Sequence, residues 1–116
     1  MSLTIYLDIN LYDKHGRFIQ TENVFCENIT HNLNKMAREA DLYQVMWCPE
    51  ELDIEVASDA VTPLISGIQK LVHYQNEMEK LNPENGWGNF DNLLNVATNY
   101  LNAALRYPES NVTACR

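Results

Sequence analysis

The chain has no run approaching the roughly 18 consecutive apolar residues that a membrane-spanning helix needs. Its opening Met1-Ser2-Leu3-Thr4-Ile5 also lacks the basic region and apolar core of a secretory leader. These absences predict a cytoplasmic protein with no membrane partner. Basic residues are scarce, with 8 Lys and Arg against 16 Asp and Glu and a formal charge of −8. Phosphate-backbone binding rests on clustered Lys and Arg, so no nucleic-acid partner is expected. Cysteine is limited to Cys26, Cys48 and Cys115, an odd number with no Cys-x-x-Cys spacing. That argues against a disulfide framework or a structural zinc site and predicts three small, buried, apolar side chains. A phosphate loop is missing too, because Gly86-Trp87-Gly88 lacks the Lys and the following Ser or Thr. No metal and no cofactor are expected. The one dense acidic run, Glu50 to Asp59, reads as a solvated loop rather than the charged face of a nucleic-acid mimic.

What is present is ordinary globular material: 116 residues, 46% apolar and 21% charged. This length predicts one domain spanning residues 1–116. Leu3, Ile5, Leu7, Ile9 and Leu11 alternate with Thr4, Tyr6, Asp8, Asn10 and Tyr12, the pattern of a strand buried on one face. A turn containing His15 and Gly16 leads into a second strand, Phe18 to Cys26, completing a hairpin. Leu33, Met36, Ala37, Ala40, Tyr43 and Trp47 recur at helical spacing, which predicts a first helix over 31–47, stopped by Pro49. A second helix begins at Thr62-Pro63, or earlier near Ser58, and ends near Leu81. A third, capped by Asn89 or Asp91, carries Phe90, Leu93, Leu94, Ala97, Tyr100, Leu101, Ala104 and Leu105 and ends before Pro108. The alternating tail from Asn111 predicts an edge strand returning to the hairpin. The expected fold class is α+β, a small antiparallel sheet (N-terminal hairpin plus short C-terminal strand) packed against three helices.

Two polar breaks carry the chemistry. Glu27, Asn28, Thr30, His31 and Asn32 bring a carboxylate, two amides, a hydroxyl and an imidazole to a strand-to-helix junction. In the second, Asn82-Pro83-Glu84-Asn85-Gly86-Trp87-Gly88-Asn89, a tryptophan stands between two glycines. Its ring is either a lid over the core or a stacking surface. The lid is favoured, because large apolar rings usually become buried.

Asn28-x-Thr30-His31-Asn32-Leu33-x-x-Met36-Ala37-x-x-Ala40, with Trp47-x-Pro49-Glu50-Glu51, resembles half of a pattern found in small proteins of phages, prophages and bacteria. Asn82-Pro83-x-Asn85-Gly86-Trp87-Gly88-x-Phe90, Tyr100-Leu101-x-Ala103, Pro108 and Val112-x-x-x-Arg116 resemble the other half. The resemblance implies a phage- or prophage-associated cytoplasmic protein of a kind that often binds a host component. It implies no particular activity.

If the two breaks meet at one end of the layers, Glu27, Thr30, His31, Asn32, Asn85 and Trp87 form one ligand-binding pocket with an aromatic wall and amides able to donate and accept. The expected partner is a small polar ligand such as a nucleobase or nucleotide, for which only Lys35, Arg38 and Arg116 offer positive charge. An equal alternative is a protein-binding accessory or inhibitor factor, as a homodimer or on a host protein, using an apolar patch or the sheet edge. Catalysis ranks third, with His31 as a base oriented by Glu27 or Asp8 and Cys26 as nucleophile.

Overall fold

The alternating segments pair as expected. The computed structural model describes residues 1–116, with β1 at Ser2–Tyr12, β2 at Phe18–Thr30 and β3 at Asn111–Cys115. All pairings are antiparallel, in the order β2-β1-β3. Leu3, Ile5 and Leu7 point to the helical layer and are fully or almost fully buried. Burial of each such side chain stabilises the fold by about 1.5–3 kcal/mol. Beyond the pairing of Asp8 with Asn111, β1 and β2 continue as a two-stranded ribbon, and the molecule measures 55 × 26 × 21 Å. The outer edge of β3 is covered at one point, where Val112 N–H donates to the Glu55 carbonyl at 3.0 Å. The outer edge of β2 has no strand beside it.

The helical layer contains five α-helices: α1 at Asn34–Glu39, α2 at Tyr43–Trp47, α3 at Ser58–His73, α4 at Gln75–Glu79 and α5 at Phe90–Arg106. The first two expected helices are therefore each broken. Between α1 and α2, Asp41 takes the left-handed conformation with φ 59°. Leu42 N–H reaches back to the Ala37 carbonyl at 2.8 Å, and Asp41 N–H to that of Arg38 at 3.2 Å. These are the paired bonds of a Schellman stop, here with Asp where Gly is usual. The second break falls at Tyr74, and α3 starts at Ser58 rather than Thr62. Asp59 accepts from the N–H groups of Glu55 and Val56, which fixes the entry to this helix. Pro63 is the sixth residue of α3, past the first turn, so its missing N–H leaves the Asp59 carbonyl without its helical donor.

Helix α5 is capped by Asn89, whose side chain accepts from Asn92 N–H at 3.0 Å while the Asn92 side chain accepts from Asn89 N–H at 2.9 Å. It packs against both β2 and α3. One cluster of 25 buried apolar residues, with Trp47 and Tyr100 its largest fully buried members, joins the sheet to this layer. Of the cysteines only Cys48 is buried; Cys26 and Cys115 are exposed, because their strands turn them to the sheet face away from the helices.

Candidate functional site

β2 does not stop at Cys26. It runs on through Glu27, Asn28 and Ile29 to Thr30, so the polar junction is partly strand and its side chains must alternate. Ile29 and Glu27 share the helix side with Phe25, whereas Asn28 and Thr30 face the other way. Asn28 Nδ2 donates to Ser2 Oγ at 2.9 Å and to Thr4 Oγ1 at 2.8 Å on that outer face. Glu27 instead accepts from Asn99 Nδ2 of α5 at 2.8 Å. This corrects the expectation for Glu27, which period-two geometry turns away from the other candidates.

The strand passes directly into a 3-10 turn, His31–Leu33, with Thr30 Oγ1 accepting from Asn32 N–H at 3.2 Å. His31 N–H is held by the Met1 carbonyl at 3.3 Å. The His31 ring is half-buried, and its Nδ1 accepts from Trp47 Nε1 at 2.9 Å. Indole N–H is only a donor, so Nδ1 carries no proton in this arrangement and the neutral ring offers an N–H at Nε2. Neither Glu27 nor Asp8 is bonded to this imidazole: Asp8 accepts from Asn23 at 3.0 Å and Glu27 from Asn99. The oriented base that catalysis would use is therefore not assembled.

The Gly-Trp-Gly loop meets this junction. Gly86 and Gly88 have φ values of 75° and 92°, which suit glycine, and Trp87 N–H is tied to Asn85 Oδ1 at 2.9 Å. A Cβ on Gly88 would lie 2.7 Å from Thr30 Cγ2 and 3.0 Å from Leu33 Cδ1. The bare backbone at Gly88, not the indole, presses on the junction. Trp87 is consequently 71% exposed, which overturns the expectation of a buried lid and leaves the ring presented to solvent.

Between the two segments lies an open cleft of about 550 Å³. Five of the six sequence candidates line it, namely Thr30, His31, Asn32, Asn85 and Trp87, with Met1, Ser2 and Asn28 added. Ser2 was legible only through hairpin register, since it pairs with Thr30 across the sheet. No carboxylate or cation side chain lines this cleft. Asn85 Nδ2, Asn28 Oδ1 and both ends of the Asn32 amide have no protein partner, so donors and acceptors are available within one space.

A second cleft of about 570 Å³ adjoins the first along Met1, His31 and Asn32, and continues over Asn34, Tyr43, Trp47 and Arg116. Tyr43 and Trp47, one helical turn apart on α2, stack with ring centroids 5.6 Å apart, and the Arg38 guanidinium lies 3.7 Å over the Tyr43 ring. The Cys48 thiol beside the Tyr43 hydroxyl, with burial second, holds that phenol above its ordinary pKa. Arg116 donates through Nη1 to Glu50 Oε1 at 2.8 Å, Cys48 Sγ at 3.0 Å and the Trp47 carbonyl at 3.1 Å. Cys48, Glu50 and Glu51 bring three ligand atoms within 4.8 Å of one another, but two of those residues already hold the guanidinium.

No helix is long and apolar enough to cross a membrane. No family model, curated protein or solved structure matches the chain.

Proposed function

We propose that the protein is a binding module for a small, planar, polar ligand, held in the cleft between the β2–α1 junction and the Gly-Trp-Gly loop. The observation that carries this reading is Trp87, an indole 71% exposed beside unpartnered amides in one cleft. An exposed aromatic face attracts a flat ring by stacking, and carboxamides read the ring's edge in both senses. A nucleobase has this chemistry. No side chain with a fixed charge lines the cleft, which suits an uncharged ring, and the cleft is of a size usual for small-molecule sites. The phage or prophage setting implied by the sequence resemblance is part of the same proposal.

The test is thermal shift and calorimetry against nucleosides, free sugars and amino acids, repeated on Trp87→Ala. A ligand that binds only the folded state raises the melting temperature. The expected result is a nucleoside that stabilises the wild type and fails with Trp87→Ala, while stability of that unliganded variant stays within about 0.5 kcal/mol, as for an exposed side chain. A loss of about 3–5 kcal/mol, the range for a buried aromatic, would contradict the open indole.

A second reading has its own observation. Tyr12, Phe18 and Ile19 are 57%, 59% and 58% exposed at the ribbon tip, beside the uncovered edge of β2. An exposed edge with apolar side chains favours strand addition by a homodimer mate or a host protein. Light scattering separates the two readings: a dimer lost on Ile19→Lys would favour the protein-binding role.

A further inference from the structure

The cleft that holds Trp87 does not end at His31. We propose, building on the ligand-binding reading above, that the neighbouring lobe under Arg116 is an anion subsite, so that the ligand is a planar polar ring carrying a phosphate or equivalent anionic group. A nucleoside monophosphate has this chemistry.

Five observations converge on it. The two lobes share Met1, His31 and Asn32, so they lie side by side and a molecule elongated across these three residues would meet both. The charged side chain in the second lobe is Arg116, and no Asp or Glu lines either lobe of a protein with 16 acidic residues. All three protein acceptors of Arg116 are engaged through Nη1, and the side chain is 48% exposed. A guanidinium has five N–H donors, so those on Nη2 and Nε are left for a ligand, while Glu50 and the Trp47 carbonyl hold the group in place. Lastly, His31 spends Nδ1 on Trp47 and has its Nε2–H for a ligand lying between the lobes. Asn34 adds a carboxamide with no protein partner on the far side.

Glu50 partly offsets the positive charge of Arg116, which sets the expected strength. One anchored guanidinium with free donors supports a preference of about tenfold for the charged ligand rather than tight phosphate binding.

The experiment is isothermal titration of adenosine, guanosine, cytidine and uridine, and of their 5′-monophosphates, against wild type, Arg116→Gln, Asn34→Asp and Trp87→Ala. Asn34→Asp is included because Arg116→Gln also removes the contacts to Glu50 and Cys48. An aspartate at the first residue of α1 suits a helix N-terminus and places a carboxylate in the second lobe without touching Arg116's anchors. The expected result is a monophosphate that binds wild type about tenfold tighter than its nucleoside, with the preference cut to about twofold or less in Arg116→Gln and Asn34→Asp. The quantity compared is the ratio of the two affinities within each variant, and nucleoside affinity itself should be lost in Trp87→Ala. Nucleosides that bind through Trp87 with no gain from phosphate, or with a gain that survives both second-lobe variants, would overturn the anion subsite and leave the ring-binding reading standing. Absence of binding by any of the eight compounds would overturn both.

Discussion

Replacing Gly88 by alanine tests whether the loop is pinned to the junction by bare backbone. Two effects add. Gly88 has φ 92°, and an L side chain at positive φ costs about 1–2 kcal/mol. The new Cβ would also stand 2.7 Å from Thr30 Cγ2 and 3.0 and 3.1 Å from Leu33 Cδ1 and Cγ. Leu33 is fully buried and cannot retreat freely, so overpacking adds about 1–3 kcal/mol. The expected loss is about 2–5 kcal/mol, or a melting temperature lower by about 10–25 °C for a domain of this size. Gly86 is the internal control. It has φ 75° but nothing within 4 Å of its built Cβ, so Gly86→Ala should show only the backbone part, about 1–2 kcal/mol. Urea unfolding followed by far-ultraviolet circular dichroism gives both values, with an unchanged denaturant slope showing that the unfolded state is the same. If the two variants agree within about 0.5 kcal/mol, the contact with Thr30 and Leu33 contributes nothing, and the account of how the cleft's walls are joined fails.

Glu27→Gln should leave nucleoside affinity unchanged within about twofold, because the residue faces Asn99 and not the cleft; a tenfold loss on titration would return it to the site. Tyr100 is fully buried with no hydrogen-bond partner for its hydroxyl, so Tyr100→Phe should be neutral or stabilising by about 1 kcal/mol in urea unfolding, and a loss of that size would reveal a partner. Burial also pushes the Tyr100 phenol well above its ordinary value. The unfolded chain therefore loses this proton first, and stability should fall as pH rises past about 10, with Tyr100 the last tyrosine to ionise in an ultraviolet titration.

The sheet was legible because a period of two admits little else, whereas the cap of α5 was narrowed only to Asn89 or Asp91, and the reciprocal bonds with Asn92 decide for Asn89. The break at Asp41 was not. Leu33, Met36, Ala37, Ala40, Tyr43 and Trp47 keep helical spacing straight through the Schellman stop, and the residue in the left-handed conformation is not the glycine that would have announced it. At the site, two polar breaks were legible but not whether they meet; the structure brings Thr30, His31 and Asn32 together with Asn85 and Trp87. Glu27 was misassigned because its polar neighbours suggested a loop, whereas the backbone there is still paired with Ile5. The indole was expected inside because its area dominates a burial argument. What decided its position was the conformation of the glycines on either side. The bond from Trp47 to His31 left no trace in the sequence beyond the general need of a buried indole for an acceptor.

The pairing of Thr4 with Cys115 also bears on how the chain acquires its structure. β1 finds β2 across a short turn as soon as both exist, a local and fast event, but its other edge waits for a strand that lies beyond all five helices in the sequence. During synthesis the hairpin is thus available early, with one side of its central strand unclaimed until β3 arrives. Arg116 follows β3 directly and ties α2 to the end of that strand. A chain cut after Pro108 keeps Trp87 and lacks both β3 and the guanidinium, so the two halves of the groove depend on separate stretches of the polypeptide.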